Sequence, residues 1–387
     1  MARVHEPGSQ RGRAAARARV AIVHDWLTGM RGGEKVLDAL CGLYPHAHVF
    51  TLVHAPGTVP ASIERHPIHR SPLSRLPGAR RIYRHLLPVF PVAVELFDLD
   101  SYDLVISSSH CAVKSVVPTG QARHLCYCHT PMRYAWDQFE AYFGAARIGH
   151  WPSRLMRPVM DRLALWDAAT AGRVDRYVAN SQYVARRIAR YYNRSAEVVY
   201  PPVDTDFYCP GEAPPAHGLL VVSALVPYKR IDLAIEASRR LSLPLVVVGQ
   251  GPDAERLRRL GGPDVTWCGS VSDEEIRRLY RQSRAVLLPG VEDFGIVPVE
   301  AQACGRPVVA LARGGALETV VDGVTGALVS EATVEAFADG VRQVLNHRLD
   351  ETAIRRHAER FGRERFMRQI DAAVEAMLAA PAGEVRC

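Results

Sequence analysis

Two glutamates flank the start of a predicted helix in the second half of the chain. Glu292 lies in a loop after the apolar run 285–288, and Glu300 falls in the first turns of a helix predicted to begin near Val297. Proline 298 favours a helix start there, because the N–H that proline lacks would be unpaired in the first turn anyway. Carboxylates accept hydrogen bonds from sugar hydroxyls. The spacing therefore predicts a polar-ligand site, with Glu300 at a ribose diol and Glu292 at a hexose.

The same segment has the features of a phosphate site. Gly295 lets the backbone approach a phosphate without an intervening side chain. The unpaired N–H groups of the first helical residues, Ile296 and Val297, and the positive end of the helix dipole suit a pyrophosphate. Two solvated glutamates are the alternative interpretation. The strand, glycine, proline and following strand 308–311 occur together, however, and favour the functional one.

Strands and helices are predicted to alternate along the chain. In the first half we predict strands at 19–25, 103–107, 124–128 and 175–179, and helices at 34–43, 152–171 and 181–192. In the second half the predicted strands are nearly pure apolar runs, and they lie at 219–223, 245–248, 285–288 and 308–311. An amphipathic helix is predicted at 230–241, after the first of these strands. Strands that are apolar on both faces belong in parallel sheets covered by helices. The pattern predicts an α/β fold with two Rossmann-like domains.

Composition and prolines suggest how the chain divides. We predict a disordered basic tail at 1–18, a first domain at 19–198, a second domain at 199–370, and a helix or tail at 371–387. The prolines at 201 and 202 form an extended connector between the domains. The final helix is expected to return and pack on the first domain.

Bulk properties exclude several classes of protein. A net charge of +7 suits an anionic partner, but no groove-reading motif accompanies it, so nucleic acid is not expected. The eight cysteines are scattered and predict reduced thiols rather than a disulfide or metal framework. No secretory signal or membrane-spanning run is visible, so we expect a cytoplasmic protein. Two D-x-D sequences, at 98–100 and 204–206, are interpreted as turn residues, and no metal site is predicted.

Motifs in both halves resemble those of the retaining glycosyltransferases of family 4, which have the GT-B fold. The resemblance covers nearly the whole chain from about residue 19. In the second half it is carried by the segments at 222–237, 289–309 and 314–329, and at the domain connector by those at 178–188 and 198–208. The segments at 24–37, 102–116 and 126–137 are similar to a subgroup associated with mannosyl transfer in polysaccharide assembly. The resemblance implies two Rossmann-like domains facing across a cleft, with the donor bound mainly by the second.

The resemblance also implies roles for individual residues. It places His129 near the reacting sugar, Glu292 on the donor sugar, and Lys229 with Arg230 at the diphosphate. Gly295, Ile296, Val297 and Glu300 complete the expected donor site. An acceptor or phosphate loop is expected from the residues after the first strand and from one histidine further along, namely Asp25, Gly32, Gly33 and His110. The chain departs from the family at Ala224, where many members carry an arginine.

The resemblance implies retaining transfer of a hexose, with mannose from GDP-mannose as the expected donor sugar, and neither a metal nor a cofactor is expected. The expected acceptor is a glycan or a lipid-pyrophosphate-linked oligosaccharide. Residues 70–97 mix arginines with apolar residues and are expected to contact an anionic membrane. The alternatives are a UDP-hexose-dependent transferase, another GT-B enzyme such as a phosphorylase or a nucleotide-sugar epimerase, and a non-catalytic binding protein. An NAD-dependent oxidoreductase is disfavoured, because the turn after the first strand lacks G-x-G-x-x-G.

Overall fold

The computed structural model describes residues 18–212, 215, 218–347 and 349–381. The predicted tail falls outside the described residues except at Ala18, as do positions 382–387 of the predicted last segment. The strands are β1 (Val20–Leu27), β2 (His48–His54), β3 (Ile68–Arg70), β4 (Leu104–Ser109), β5 (Arg123–Cys128), β6 (Arg176–Ala179), β7 (Ala196–Val198), β8 (Leu219–Val222), β9 (Leu245–Val248), β10 (Val265–Gly269), β11 (Ala285–Leu288), β12 (Val308–Leu311) and β13 (Gly326–Val329).

The α-helices alternate with these strands, and several short ones lie between β2 and β6. They are α1 (Gly32–Leu43), α2 (Ala61–Glu64), α3 (Ala79–Ile82), α4 (Phe90–Glu95), α5 (Arg133–Trp136), α6 (Phe139–Phe143), α7 (Ala145–Ile148), α8 (His150–Ala169), α9 (Gln182–Tyr192), α10 (Ile231–Arg240), α11 (Ala254–Gly261), α12 (Asp273–Gln282), α13 (Ile296–Ala303), α14 (Ala316–Thr319), α15 (Val334–Asn346), α16 (Glu351–Glu359) and α17 (Arg363–Ala379). Within the described residues, 3₁₀ turns lie at Pro72–Arg75, Tyr83–Val89, Val113–Ser115, Thr170–Arg173 and Pro227–Lys229.

The chain forms two compact units. The first contains Met1–Tyr200 together with Phe366–Cys387, and the second contains Pro201–Arg365. The last helix, α17, belongs almost wholly to the first unit, because its apolar residues at 366, 370, 374 and 377 join the core around β1 and α1. The change of unit therefore comes at Arg365, a few residues before the predicted boundary at 370.

The first unit is built on a parallel sheet with the strand order β3-β2-β1-β4-β5-β6-β7. Side chains of β1 alternate between two cores, with Ile22 on one face and Val23 on the other. Both faces are therefore buried, as the apolar strands predict. The order reverses between β1 and β4, since β2 and β3 lie on one side of β1 and β4 on the other. Ligands of such folds bind beyond the carboxyl ends of the strands at this reversal.

The second unit repeats the arrangement with the strand order β10-β9-β8-β11-β12-β13, again all parallel. Leu219 and Val221 of β8 pack with Leu287 of β11 and Ile235 of α10 in one apolar core. Here the order reverses between β8 and β11. The predicted pair of parallel sheets is confirmed, and each sheet has one reversal at which polar loop residues come together.

Five strands were absent from the sequence prediction: β2, β3, β7, β10 and β13. β2 was missed because His48, Thr51 and His54 interrupt its apolar pattern, although the side chains at 51 and 54 are buried. The other four have three to five residues each. Runs of that length carry too little periodic signal to be separated from loops.

Candidate functional site

The loops that follow β8 and β11 meet at the reversal of the second sheet. Lys229 ends the 3₁₀ turn after β8, and Glu292 lies in the loop after β11. The Nζ atom of Lys229 forms an ion pair with Oε1 of Glu292. The Lys229 side chain is 10% exposed and that of Glu292 is 20% exposed. The sequence assigned these residues separate partners, whereas the structure pairs them with each other and leaves both within reach of solvent.

Close backbone packing holds this pair in place. A Cβ on Gly290 would lie 2.6 Å from the Cα of Lys229, so only glycine lets the β11 loop pass the lysine. On the other side, the N–H of Gly315 donates to the carbonyl oxygen of Glu292 over 2.8 Å. A Cβ on Gly314 would overlap that carbonyl oxygen. The sequence analysis did not predict Gly290, Gly314 and Gly315 as site residues. The signal that could have identified them is the occurrence of glycine in loops that follow strands.

The N-terminus of α13 opens directly after this loop. Gly295 precedes the helix with φ = +90°, a left-handed conformation that favours glycine. The helix begins at Ile296, so Pro298 is its third residue rather than its first. Its missing N–H still falls among the first four helical N–H groups, which have no partner within the helix. The amides of Ile296 and Val297 are therefore free of intrahelical bonds and suited to an anion.

Glu300 lies one turn further along α13 and is 4% exposed. Its Oε2 atom accepts a hydrogen bond of 3.0 Å from the hydroxyl of Tyr280, on α12. Burial and the neighbouring Glu300 carboxylate raise the pKa of Tyr280 well above its usual value, so the phenol remains a donor. Tyr280 thus orients the carboxylate that was predicted to bind a ribose. The sequence missed it because a tyrosine on an amphipathic helix resembles an ordinary core residue.

Arg230 does not point its charge at the Lys229–Glu292 pair. The residue has φ = +51° at the start of α10, and its guanidinium bonds to the carboxylate of Asp232 over 3.0 and 3.1 Å. This local pair differs from the predicted role of a second phosphate-binding cation. Ala224, in the loop after β8, is exposed and contributes no charge. Of the two cations predicted for the donor site, Lys229 is therefore the one that lies beside Glu292.

In the first unit, Asp25 holds the loop that follows β4. Its carboxylate is fully buried and accepts four backbone N–H groups, from His110, Cys111, Ala112 and Val113, over 2.7 to 3.1 Å. Both oxygens are occupied by the protein's own amides. Asp25 therefore anchors the loop from within, and its place in an acceptor or phosphate loop stays a prediction.

Three histidines lie around Gly33 at the reversal of the first sheet. A Cβ on Gly33 would be 3.4 Å from His24 Cε1, 3.8 Å from His129 Nε2 and 3.9 Å from His110 Nδ1. Gly32 and Gly33 were predicted to form the turn after β1, but they are the first residues of α1, and the turn itself is formed by residues 28–31. Gly33 thus leaves room for the imidazoles at the start of a helix.

The hydroxyl of Ser108 connects two of these histidines. Its Oγ atom lies 3.1 Å from Nδ1 of His24 and 2.9 Å from Nε2 of His129. A serine hydroxyl has one hydrogen to donate, so one imidazole must accept it while the other donates. Nε2 of His24 faces Oε1 of Glu34 at 3.9 Å, which favours the hydrogen on that nitrogen. Ser108 then donates to His24 and accepts from His129, leaving Nδ1 of His129 as an acceptor.

Burial disfavours the charged form of two of these histidines, His129 and His110. It lowers the pKa of His129 well below its usual value, and the neighbouring His110 and His24 add to the effect. The pKa of His110 is also lowered by burial, which outweighs the opposing influence of Asp25. Burial raises the pKa of Glu34, but its interaction with the nearby His24 and its attraction to His110 bring that pKa below its usual value. A neutral imidazole at His129 can exchange hydrogen bonds with a sugar without adding charge.

The remaining predicted features have simple structural roles. Asp98 accepts the N–H of Asp100 over 3.2 Å, and Asp204 accepts that of Phe207 over 2.9 Å, so the first aspartate of each D-x-D sequence closes its own turn. Among the described residues, no group of His, Cys, Asp or Glu is arranged to hold a metal ion. Within the same part of the chain, none of the helices combines the length and apolar character needed to span a bilayer.

Two family models match the chain, one in each half. The chain matches the model described as "Glycosyl transferases group 1" over residues 213–364 and the model "Glycosyltransferase Family 4" over residues 30–207. The first range contains the Lys229–Glu292 pair and α13. The second contains Gly33, Ser108 and His129. The charged pair and the residues Gly33, Ser108 and His129 therefore fall in different family matches.

Individual relatives align with about half of the chain. The chain is 32% identical over 208 residues to a D-inositol 3-phosphate glycosyltransferase of Mycolicibacterium smegmatis, an alignment that covers 47% of this chain and 48% of that protein. A protein of the same name from Mycobacterium bovis is 33% identical over 221 residues, covering 49% and 46%. The chain thus spans about half the length of the curated relatives it matches.

Solved structures agree over a longer span. Anabaena HepE in complex with UDP has a TM-score of 0.69 at 18% identity, covering 92% of this chain and all of that one. Sucrose-phosphate synthase from Thermosynechococcus elongatus has a TM-score of 0.70 at 19% identity, covering 94% and 100%. At this identity the likeness establishes the fold.

Proposed function

We propose, since the chain belongs to the GT-B glycosyltransferases of family 4, that it transfers a hexose from a nucleotide sugar. The observation that carries the proposal is the Lys229–Glu292 ion pair at the reversal of the second sheet, with Glu292 in the loop that leads into α13, whose first amides have no intrahelical partners. A cation and a helix N-terminus suit a diphosphate, and a carboxylate suits a sugar hydroxyl. The three features lie on adjacent loops, as a ligand that joins a diphosphate to a sugar requires.

In this proposal, Lys229 exchanges its contact with Glu292 for the diphosphate. Charge accumulates on the leaving phosphate oxygens as the glycosidic bond breaks. A preorganised ammonium group and the amides of Ile296 and Val297 stabilise that charge. Glu292, released by the lysine, accepts a hexose hydroxyl, and Glu300 binds the ribose. No metal is included, because the backbone and Lys229 take the place of a cation.

The first unit supplies the acceptor side. We assign His129 a contact to the hexose, as the family resemblance implies. Its neutral state lets it hydrogen-bond to the sugar without repelling a developing positive charge. Transfer would be retaining, with the acceptor hydroxyl losing its proton to the departing phosphate oxygen. His110, 24% exposed beside this cluster, is the residue that we place nearest the acceptor.

GDP-mannose is the donor favoured by the resemblance of the first half to mannosyl transferases. A UDP-hexose is the second candidate, because HepE was solved with UDP and with UDP-glucose. We propose a glycan or lipid-linked acceptor in cell-surface polysaccharide synthesis on the cytoplasmic side, with residues 70–97 at an anionic membrane. The mycobacterial relatives are named for D-inositol 3-phosphate, so a phosphorylated polyol is the alternative acceptor.

The test is a donor-turnover assay with GDP-mannose, UDP-glucose and UDP-N-acetylglucosamine, with and without a lipid-linked glycan or inositol 3-phosphate. We expect one donor to release its nucleoside diphosphate and transfer its sugar. Conversion of the donor to an epimer without an acceptor would replace the proposal with an epimerase. Binding without turnover of any donor, over a full acceptor panel, would indicate a non-catalytic protein.

A further inference from the structure

Helix α8 (His150–Ala169) exposes unusually large apolar side chains. Trp151 is 77% exposed, Leu155 71% and Leu165 72%. Burying such side chains is favourable, and several of them in a row on one face indicate a contact surface rather than isolated surface residues. These three lie in the first unit, and the residues that we assign to the donor site lie elsewhere in the chain.

The exposed residues form one stripe along the helix. Trp151, Leu155, Pro158, Arg162 and Leu165, here called the Trp151 stripe, follow one another at spacings of four and three residues and are all exposed. Such spacings place side chains on one face of a helix. At 1.5 Å per residue the stripe is about 21 Å long. The opposite face, including Met160 and Leu163, is buried in the core of the first unit.

The stripe is accompanied by positive charge. Arg154 and Arg162 are exposed on α8, and Arg147 is exposed on α7 just before it. Asp161 is the exposed acidic residue of α8. A fourth arginine, Arg157, is paired with Glu140 over 2.7 Å and stacks over Phe139 at 3.9 Å from its centroid, so its charge is already engaged. The excess of arginine around an apolar face suits an anionic surface.

We propose that the Trp151 stripe lies on an anionic lipid bilayer. An interfacial helix inserts its apolar side chains at the level of the headgroups, and tryptophan favours this depth because its ring is apolar while its N–H is polar. Arginines beside the stripe contact lipid phosphates. This deepens the membrane contact proposed above, on which it rests, but it assigns the main contact to α8 rather than to residues 70–97.

Residues 70–97 fit this account as a neighbour of the stripe. Five of their large apolar side chains, such as Tyr83 and Phe90, are buried, and five others are 40% to 62% exposed. The indole N–H of Trp166, next to Leu165, donates to Glu95 of α4 over 3.3 Å. Val92 and Leu96, on either side of Glu95 in sequence, are each 62% exposed. The apolar exposure therefore continues from α8 onto the end of α4.

A second copy of the chain is a less suitable occupant than a bilayer. In a twofold dimer the patch meets its own equivalent, so one arginine-rich face would oppose another. Arg162, within the stripe between Leu155 and Leu165, would add to that repulsion. A lipid surface instead supplies phosphates to each arginine.

The experiment is co-sedimentation of the full chain with vesicles of phosphatidylcholine, with and without phosphatidylglycerol. We expect binding to the anionic vesicles and at least about tenfold weaker partitioning for Trp151→Ser/Leu155→Ser. The matched control is Leu317→Ser, which removes a 53% exposed leucine from the second unit. Arg154→Glu/Arg162→Glu should lose about tenfold on anionic vesicles alone, whereas Arg258→Glu, an exposed arginine on α11, should not.

Several results would overturn the proposal. One is Trp151→Ser/Leu155→Ser sedimenting like the wild type while retaining its thermal unfolding midpoint. Equal binding of the wild type to neutral and anionic vesicles would contradict the role of charge. A wild-type dimer that the double variant converts to a monomer would identify a second copy as the occupant. Turnover of the nucleotide-sugar donor with a water-soluble acceptor should be unchanged in the double variant, so failure of membrane binding and failure of the transferase proposal are distinguishable.

Discussion

The two units carry different kinds of polar side chains at the reversal points of their sheets. At the reversal of the second sheet, Lys229 and Glu292 form a charged pair that remains 10% and 20% exposed. At the reversal of the first, Ser108 joins His24 and His129 in a buried cluster, where burial lowers the pKa of His129 well below its usual value. A pair close to solvent can exchange partners at low cost, whereas a buried network is fixed before any ligand arrives. We infer that the second unit responds to charge and the first provides fixed hydrogen bonds.

The largest expected effect comes from breaking the charged pair at its carboxylate. Glu292→Ala should lower kcat/KM for sugar transfer by about 100- to 1,000-fold, because a positioned contact to the reacting sugar is lost. Glu274→Ala, which removes an exposed carboxylate on α12, is the control. Steady-state transfer assays on both variants decide the point. A Glu292 variant within twofold of the wild type would show that the carboxylate is not in the site.

Acid should affect the first unit more than the second. Burial lowers the pKa of His124 to about 4, with its Nδ1 3.1 Å from the Arg173 carbonyl and its Nε2 2.8 Å from Ser107 Oγ. The unfolded chain binds this proton below about pH 6.5, but the native state does so only near pH 4. The free energy of unfolding should therefore fall by about 3 kcal/mol as pH drops through this window.

Urea denaturation between pH 7 and pH 4 measures this loss. His124→Gln should show a flatter pH dependence than the wild type, although its stability at pH 7 is lower. His85→Gln, which removes an exposed histidine, should follow the wild-type curve. Identical slopes for the wild type and His124→Gln would contradict the assignment.

A smaller effect is expected at the shared hydroxyl of the first unit. Ser108→Ala removes the group that links His24 to His129 and that sets which nitrogen of His129 accepts. We expect kcat to fall about tenfold with little change in KM, since the loss is one of orientation. Ser108→Thr keeps the hydroxyl and should restore most of the rate. An equal defect in both variants would indicate a packing effect rather than a hydrogen-bonding role.

The smallest expected change is a gain. Ala224→Arg would add the cation that many members of the family carry, in an exposed loop of the second unit. Because one exposed charge-assisted hydrogen bond contributes about 1 kcal/mol, nucleoside diphosphate binding should tighten about fivefold. Ala224→Met provides side-chain length without charge and should leave the affinity unchanged. An equal gain from both variants would assign the effect to packing.

The features that the sequence predicted best are those that depend on residues adjacent in the chain. β9, β11 and β12 were placed at their observed bounds, because an apolar run is a local signal. The start of α13 was placed within two residues by its glycine and proline. Both sheets and the family followed from the same kind of local pattern.

Contacts between distant parts of the chain could not be predicted in the same way. The Lys229–Glu292 pair joins loops 63 residues apart, and its formation depends on how Gly290 passes the lysine. The anchoring role of Asp25 could not be predicted because its partners are backbone amides 85 to 88 residues away, which have no side-chain signature. The pairing of Arg230 with Asp232 was visible in sequence spacing but was outweighed by the family pattern.

The most direct test of the account is calorimetric titration of the wild type and Lys229→Met with GDP-mannose and UDP-glucose. We expect the wild type to bind one of these donors. Lys229→Met should bind the same donor about 10- to 100-fold more weakly, as the loss of a charge-assisted contact to a diphosphate predicts. Equal affinities in the two proteins, or no binding of either donor to the wild type, would contradict the claim that this pair forms a nucleotide-sugar site.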